Sequence, residues 1–421
     1  LYILADTYFI SKAVGANGIT ALNMALPVYG VIFALGQMVG VGSAIRYSIV
    51  KEQYRNSNKD GSNECDKYFS GALFWGLVIG VIFAVLGLVF PDKIVEIMGG
   101  DETIVAIGVP YFRIFMSFSP FFIFNYTCNA FVRNDGNPSV SMAATLISSL
   151  FNIVFDYILM FPLGMGMPGA ALATALSPVV GVMICMIHFL SKKNTVKFKW
   201  FKTSLTRLFH CCQVGMSAFV GEMSGAVIVM VFNFIILRLT GNIGVAAYGV
   251  VANTALVAVA VFNGVALGSQ PLISESYGKH NIKDIKLIEK LGVATALGLA
   301  VIIVIMIWGF TDTIVGVFNS QGSDRLLSLA RVGLRIYFIG FLFAGINIFC
   351  SSALSAIASV KWAFVLSILK GFVVVNVCAA ILAPIFGMNG VWVAFPLSEF
   401  ILLIISGFAM KKSIGALESE R

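Results

Sequence analysis

Four stretches of this chain, residues 68–90, 243–273, 291–310 and 336–360, contain no Asp, Glu, Lys or Arg. Each is long enough to cross the hydrocarbon core of a bilayer, which takes ~20 apolar residues as a helix. Inside a bilayer every backbone N–H and C=O must be paired within the segment or a closed barrel. Barrel strands are shorter and alternate polar with apolar residues, which these runs do not. The chain is therefore expected to be an all-α polytopic membrane protein. Only 11% of its residues are charged, against ~25% in a soluble domain.

Hydropathy places spans near 19–46, 68–91, 104–132, 138–164, 169–191, 213–238, 243–274, 289–310, 332–359, 363–386 and 390–410, preceded by an apolar segment at 1–14. Residues 1–13 would cover only ~20 Å as a helix, so the first of twelve spans is expected to begin ahead of Leu1. Of the 28 basic residues, most fall in alternate loops. One set carries Arg46, Lys51, Arg55, Lys59 and Lys67, then Arg133, then Lys192, Lys193, Lys197, Lys199, Lys202 and Arg207. It continues with Lys279, Lys283, Lys286 and Lys290, then Lys361, and ends with Lys411, Lys412 and Arg421. The positive-inside rule puts these loops and both termini in the cytoplasm. A net charge of +8 placed this way describes membrane topology, not a nucleic-acid surface. The seven cysteines show neither C-x-x-C nor zinc-like spacing, so free thiols and no structural metal are expected.

The longest basic loop divides the chain into an N-lobe (1–191), a linker (192–212) and a C-lobe (213–421). The lobes repeat one another. GITALNMALPVYGVIFALGQMVGVGS at 18–43 aligns without gaps on 244–269, RIFMSFSPFFIFNYTC at 113–128 on 335–350, and GMPGAALA at 166–173 on 387–394. With six spans per copy, the two have the same orientation. Parallel repeats related by an axis along the membrane normal are a transporter plan in which substrate sites fall between the lobes and one lobe rocks against the other.

Within this apolar frame Asn152 and Asp156 stand one helical turn apart, on one face of the fifth span. An Asp at bilayer depth costs at least ~2.5–3.5 kcal/mol and requires a partner, a proton or an ion. At the repeat offset their counterparts are Val373 and Val377, so the pair belongs to the first lobe alone. Asp6 in the first span lies ~12–14 Å from the outer side, as does Asp156, and Thr174 in the sixth span lies in the same outer half. Two carboxylates, an amide oxygen and a hydroxyl suit a hard cation such as Na⁺. Alternatively, two close carboxylates in a low dielectric trap a proton. Glu222, in the seventh span, is a candidate substrate or proton site. Lys370 and Glu399 lie on consecutive antiparallel spans at similar depth, and a structural ion pair is the expected reading. His188, His210 and His280 fall near helix ends, where structural roles are expected. Prolines 27, 120, 178, 271 and 396 interrupt spans, and the 36 Phe and 16 Met would line an adaptable apolar cavity.

ADTYFI at 5–10 with the Gly-rich turn after it, FNIVFDYIL at 151–159, GMPGAALATALS at 166–177, QPLISESYGKHN at 270–281 and the acid at Glu222 together resemble the MATE (multidrug and toxic compound extrusion) transporters over nearly the whole chain. The resemblance implies twelve helices in two pseudo-symmetric six-helix lobes. It implies a multi-pass cell-membrane protein, not an enzyme, that works as a monomer without a cofactor and exports small organic cations in exchange for Na⁺ or H⁺. The family's first-lobe cation site maps onto Asp6, Asn152, Asp156 and Thr174. Some branches carry an Asp in the tenth helix; Ala344 stands there in this chain. The alternative within the same superfamily is a flippase for lipid-linked oligosaccharides, whose cavity would need cations such as Arg113, Arg335 and Lys370. Nothing in the sequence reads as a selectivity filter, a metal-ligand spacing or a nucleophile–base pair.

Overall fold

A computed structural model describes residues 2–57, 61–201, 204–318 and 323–419. Lys59, Lys202 and Arg421 of the basic segments lie outside the described residues. The described chain is helical throughout, and it divides into two compact units, Leu1–Phe219 and Val220–Arg421.

The first unit holds α1 (Tyr2–Ala13), α2 (Ala16–Asn56), α3 (Ser62–Val89), the short α4 (Pro91–Ile97), α5 (Glu102–Ser117), α6 (Ser119–Asn134), α7 (Pro138–Met160) and α8 (Gly166–Phe189). α5 and α6 form one span bent by 44°, at a break where Pro120 occupies the first turn of α6 and lacks the N–H a continuing helix would need. Residues 190–201 are non-helical, and α9 (Leu205–Gly278) then begins inside the segment expected to be linker. Residues 192–219 thus belong to the first unit.

The second unit continues α9, which breaks at Gly241 (φ 69°, ψ −157°) into two helices. It adds α10 (Ile282–Phe318), α11 (Asp324–Tyr337), a 3-10 turn (Phe338–Gly340), α12 (Phe341–Ala356), α13 (Val360–Ile368), a π turn (Leu369–Val373), α14 (Val374–Phe386) and α15 (Met388–Ser419). Nine helices among the described residues are long and apolar enough to cross a membrane, ten with the bent α5–α6 pair. Dividing α9 at Gly241 and adding α1 gives the twelve spans expected from hydropathy.

The sequence repeat reappears in the backbone. Left-handed residues occur at Gly15 (φ 84°) and Gly241 (φ 69°), at Gly136 (φ 86°) and Ala358 (φ 55°), and at Gly166 (φ 55°) and Gly387 (φ 58°). Each pair is separated by the offset of its own sequence block. The break at Phe118 between α5 and α6 likewise corresponds to the 3-10 turn between α11 and α12. Positive φ excludes most side chains, so these positions fix where each copy ends one helix and turns into the next.

The core of each unit is aromatic. Tyr29 stacks on Phe115 at 3.8 Å in the first, and Tyr337 on Phe395 at 4.1 Å in the second. The copies differ where the sequence said they would. Asn152 and Asp156 are fully buried, whereas Val373 and Val377 are 40% and 49% exposed. The π turn just before α14 contributes to this difference, because one extra residue per turn rotates the following face. Cys378, one position on, is the residue that turns inward.

Candidate functional site

α1, α7 and α8 pack on one another. The α7–α8 hairpin closes through Gly164 and Gly166, both at positive φ, and Gly169 brings α8 to within 3.1 Å of the Leu159 backbone, measured from where a Cβ would sit. α8 then presents Ala170, Ala171, Ala173 and Ala175 as buried small residues, so the two helices approach closely enough for short side chains to meet across them.

Four of the residues singled out in the sequence meet there. Asp6, Asn152, Asp156 and Thr174 are all buried, the most exposed being Asp6 at 4%. Asn152 Nδ2 donates to Thr174 Oγ1 at 3.2 Å. The Asp6 carboxylate is a close neighbour of both Asp156 and Thr174. Two carboxylates are both acceptors, so Asp6 and Asp156 can bond directly only if one carries a proton. Among the described residues Asp6 Oδ1, Asn152 Oδ1 and both Asp156 oxygens have no hydrogen-bond donor. Four orphan acceptor oxygens converging in a buried space are costly unless a proton or cation joins them. The donor set is all oxygen, as a hard cation requires. No group of three or more His, Cys, Asp or Glu able to hold a metal occurs among the described residues.

The remaining candidates stand elsewhere. Glu222 lies on the part of α9 that belongs to the second unit and is exposed. The expected Lys370–Glu399 ion pair does not form: among the described residues no ion pair joins them. Glu399 instead accepts from Asn347, whose Nδ2 donates to its Oε2 at 2.7 Å and to its backbone oxygen at 2.9 Å. Ser406 Oγ donates to Asn347 Oδ1 at 2.8 Å. Lys370 sits in the π turn, near enough for the Glu399 charge to act on it without a direct ion pair. Asn347 was visible as a repeat position and not as a partner.

A second carboxylate hub escaped the sequence altogether. Asp135, at the turn after α6, accepts from Tyr47 Oη at 2.5 Å, Lys51 Nζ at 2.9 Å, His188 Nε2 at 3.0 Å and the Thr195 backbone N–H at 2.9 Å, and also from Thr195 Oγ1. Asn137 Nδ2 faces His188 Nδ1 at 3.2 Å, which assigns the ring proton to Nε2. Burial alone would raise the Asp135 carboxyl, but the donors from Lys51, Thr195 and Tyr47 outweigh it and hold it below its ordinary value. The hub ties the strap 190–201 to α2, α6 and α8. Asp66 anchors the same strap further on, pairing with Lys199 at 2.7 Å and accepting from the Lys197 N–H at 2.8 Å. Only the i, i+4 spacing of Tyr47 and Lys51 hinted at a shared partner. His188 takes the structural role expected of it.

Two copies of one helical design, one of them enclosing a cluster of unpaired oxygens, define a membrane transporter built on an internal repeat. The chain belongs to the MatE family, whose model matches residues 1–158 and 218–385. It is 27% identical over 398 residues to "Multidrug export protein MepA" of Staphylococcus aureus (strain MRSA252), covering 93% of this chain and 85% of that protein. The protein of that name from Staphylococcus saprophyticus is 24% identical over 396 residues, with the same coverage. Among solved structures, an outward-facing multidrug resistance MATE family transporter of the MOP superfamily superposes with a TM-score of 0.92 at 22% identity, covering 99% of this chain and 92% of that one. A MOP superfamily transporter from Pyrococcus furiosus, described as having a binding pocket of reversed polarity, superposes at 0.90 with 21% identity, covering 99% and 92%.

Proposed function

We propose that this protein is a cation-coupled exporter of lipophilic organic cations, working by alternating access in the cell membrane. Na⁺ or H⁺ occupies the Asp6–Asn152–Asp156–Thr174 cluster from the side opposite the basic loops, and the basic loops and both termini face the cytoplasm. The observation that carries the reading is the set of four buried oxygens without donors, which are stable only when a proton or cation shares them. The names of the relatives, which export multiple drugs, support the substrate class. The flippase reading would need Arg113, Arg335 and Lys370 to line its cavity; the cluster of buried oxygens in the first unit favours cation coupling instead.

The test is efflux of one fluorescent organic cation from proteoliposomes under separately imposed Na⁺ and H⁺ gradients. One gradient is expected to drive export, and Asp156→Asn to abolish it while the protein still inserts and purifies as a monodisperse species. Full gradient-driven efflux by Asp156→Asn would sink the reading.

A further inference from the structure

A cavity of about 640 Å³ lies in the first unit, at the end of the helices that carries the basic loops. α3 and α8 each pack on α6 and leave a groove between them, floored by Phe124 and Cys128 of α6 and walled by Trp75 and Val182. The strap 190–201 closes its polar end. The opposite side opens past Leu77, Met186 and Leu190, which are exposed on faces that would meet lipid chains.

Charge is distributed along this cavity in one way only. Its depth is apolar, and its rim carries Lys67, Lys197, Lys199 and Arg207 with no acidic residue in the lining. Lys67 and Arg207 share Glu64, and Lys199 pairs with Asp66, which holds three cations in place and leaves a positive excess. Lys197 is exposed and forms no ion pair among the described residues. Phe198 and Trp200 stand exposed on the strap beside it, as aromatic rings do at the headgroup level of a bilayer. An apolar slot with a cationic mouth suits a ligand with an anionic head and hydrocarbon chains, and it disfavours the organic cations of the proposed transport.

We propose that this cavity binds an anionic phospholipid of the cytoplasmic leaflet, with its phosphate among the four basic side chains and an acyl chain between α3 and α8. The leaflet rests on the orientation proposed above; the chemistry of the slot does not. Anionic lipids concentrate in that leaflet and are held by basic pockets between helices. A lipid seated there would pack against the strap that leads into α9.

Native mass spectrometry of the full-length transporter in detergent, titrated with phosphatidylglycerol or with phosphatidylcholine of the same chains, tests this. Phosphatidylglycerol is expected to bind at least ten-fold more tightly, and millimolar inorganic phosphate to leave it bound. Lys197→Gln is expected to weaken it about five-fold, the share of one basic side chain at an anionic surface. Gly71 lines the slot with open space where a side chain would project, so Gly71→Phe fills it and is expected to remove most of the bound lipid. Equal retention of the two lipids, displacement by phosphate, or unchanged binding in Lys197→Gln overturns the proposal. Lys197 is exposed, so that variant decides the matter even if Gly71→Phe fails to fold. Binding in detergent is independent of leaflet. A wrong orientation would therefore appear separately, as labelling of Leu190→Cys by an impermeant thiol reagent from the outside of cells.

Discussion

Asp135→Asn removes a charge from the best-connected side chain in the first unit and changes almost nothing in volume. The carboxylate is fully buried and accepts from Tyr47, Lys51, His188 and Thr195. An amide keeps one acceptor oxygen and turns two N–H donors toward partners that are themselves donors. Removing one partner of a buried ion pair costs about 3–5 kcal/mol. Lys51 is 32% exposed, so water recovers part of its solvation, and about 3 kcal/mol is the expected loss. For a unit of roughly 200 residues this corresponds to about 6–12 °C in melting temperature. The strap 190–201 should then detach, freeing its backbone for faster tryptic cleavage after Lys192, Lys193 and Lys197. The assay is thermal unfolding of the purified transporter together with limited proteolysis, comparing wild type, Tyr47→Phe, Asp135→Asn and the double variant. The sign with pH is also fixed. A carboxyl held below its ordinary value stabilises above that value, and the contribution is lost as pH falls through the folded value. Wild type should therefore lose stability below about pH 4, and Asp135→Asn should lack that component. A shift of less than 2 °C with unchanged strap cleavage would refute the reasoning.

Two further perturbations follow from close contacts. Asn347→Ala leaves the buried Glu399 carboxylate without its donor and is expected to destabilise by about 3 kcal/mol, seen as a lowered melting temperature that Asn347→Ala/Glu399→Leu partly restores. Gly215 and Gly42 let α9 and α2 approach until a Cβ on either would overlap backbone of the other, at Met38 and Cys211 respectively. Gly215→Ala should therefore cost at least about 1–3 kcal/mol, read by the same melt, while Ala at Gly221, which has open space, should change it little.

Much of the fold was legible because the bilayer imposes a strict code. A run of ~20 uncharged residues reads as a spanning helix, and a Gly repeated at 15/241 and 166/387 marks the same turn twice. The bends were unevenly legible. Pro120 marked the break between α5 and α6, whereas the 3-10 turn at 338–340 looks like ordinary apolar sequence and the π turn at 369–373 carries no signature that composition reveals. Depth along the helices brought Lys370 near Glu399 and said nothing of Asn347, the donor that the Glu399 carboxyl takes. The oxygen cluster was found because an acid in an apolar run is conspicuous, and three such helices agreed in depth. The Asp135 hub was missed because an Asp in an Asn-Asp-Gly-Asn turn is commonplace, and its partners lie 53 to 88 residues away.

The sequence by itself determined that the chain is a helical membrane protein, that it is built twice, and that the Asn152–Asp156 pair belongs to the first copy alone. These follow from transfer free energies and from internal repetition, both of which act along the chain. Only the tertiary structure decided that Asp6, Asn152, Asp156 and Thr174 share one buried space, that Glu399 belongs to Asn347, and that the basic strap is pinned to the first unit over an apolar slot. Those outcomes depend on helix rotation and on contacts between distant residues, where a turn of one residue in register moves a side chain from core to lipid.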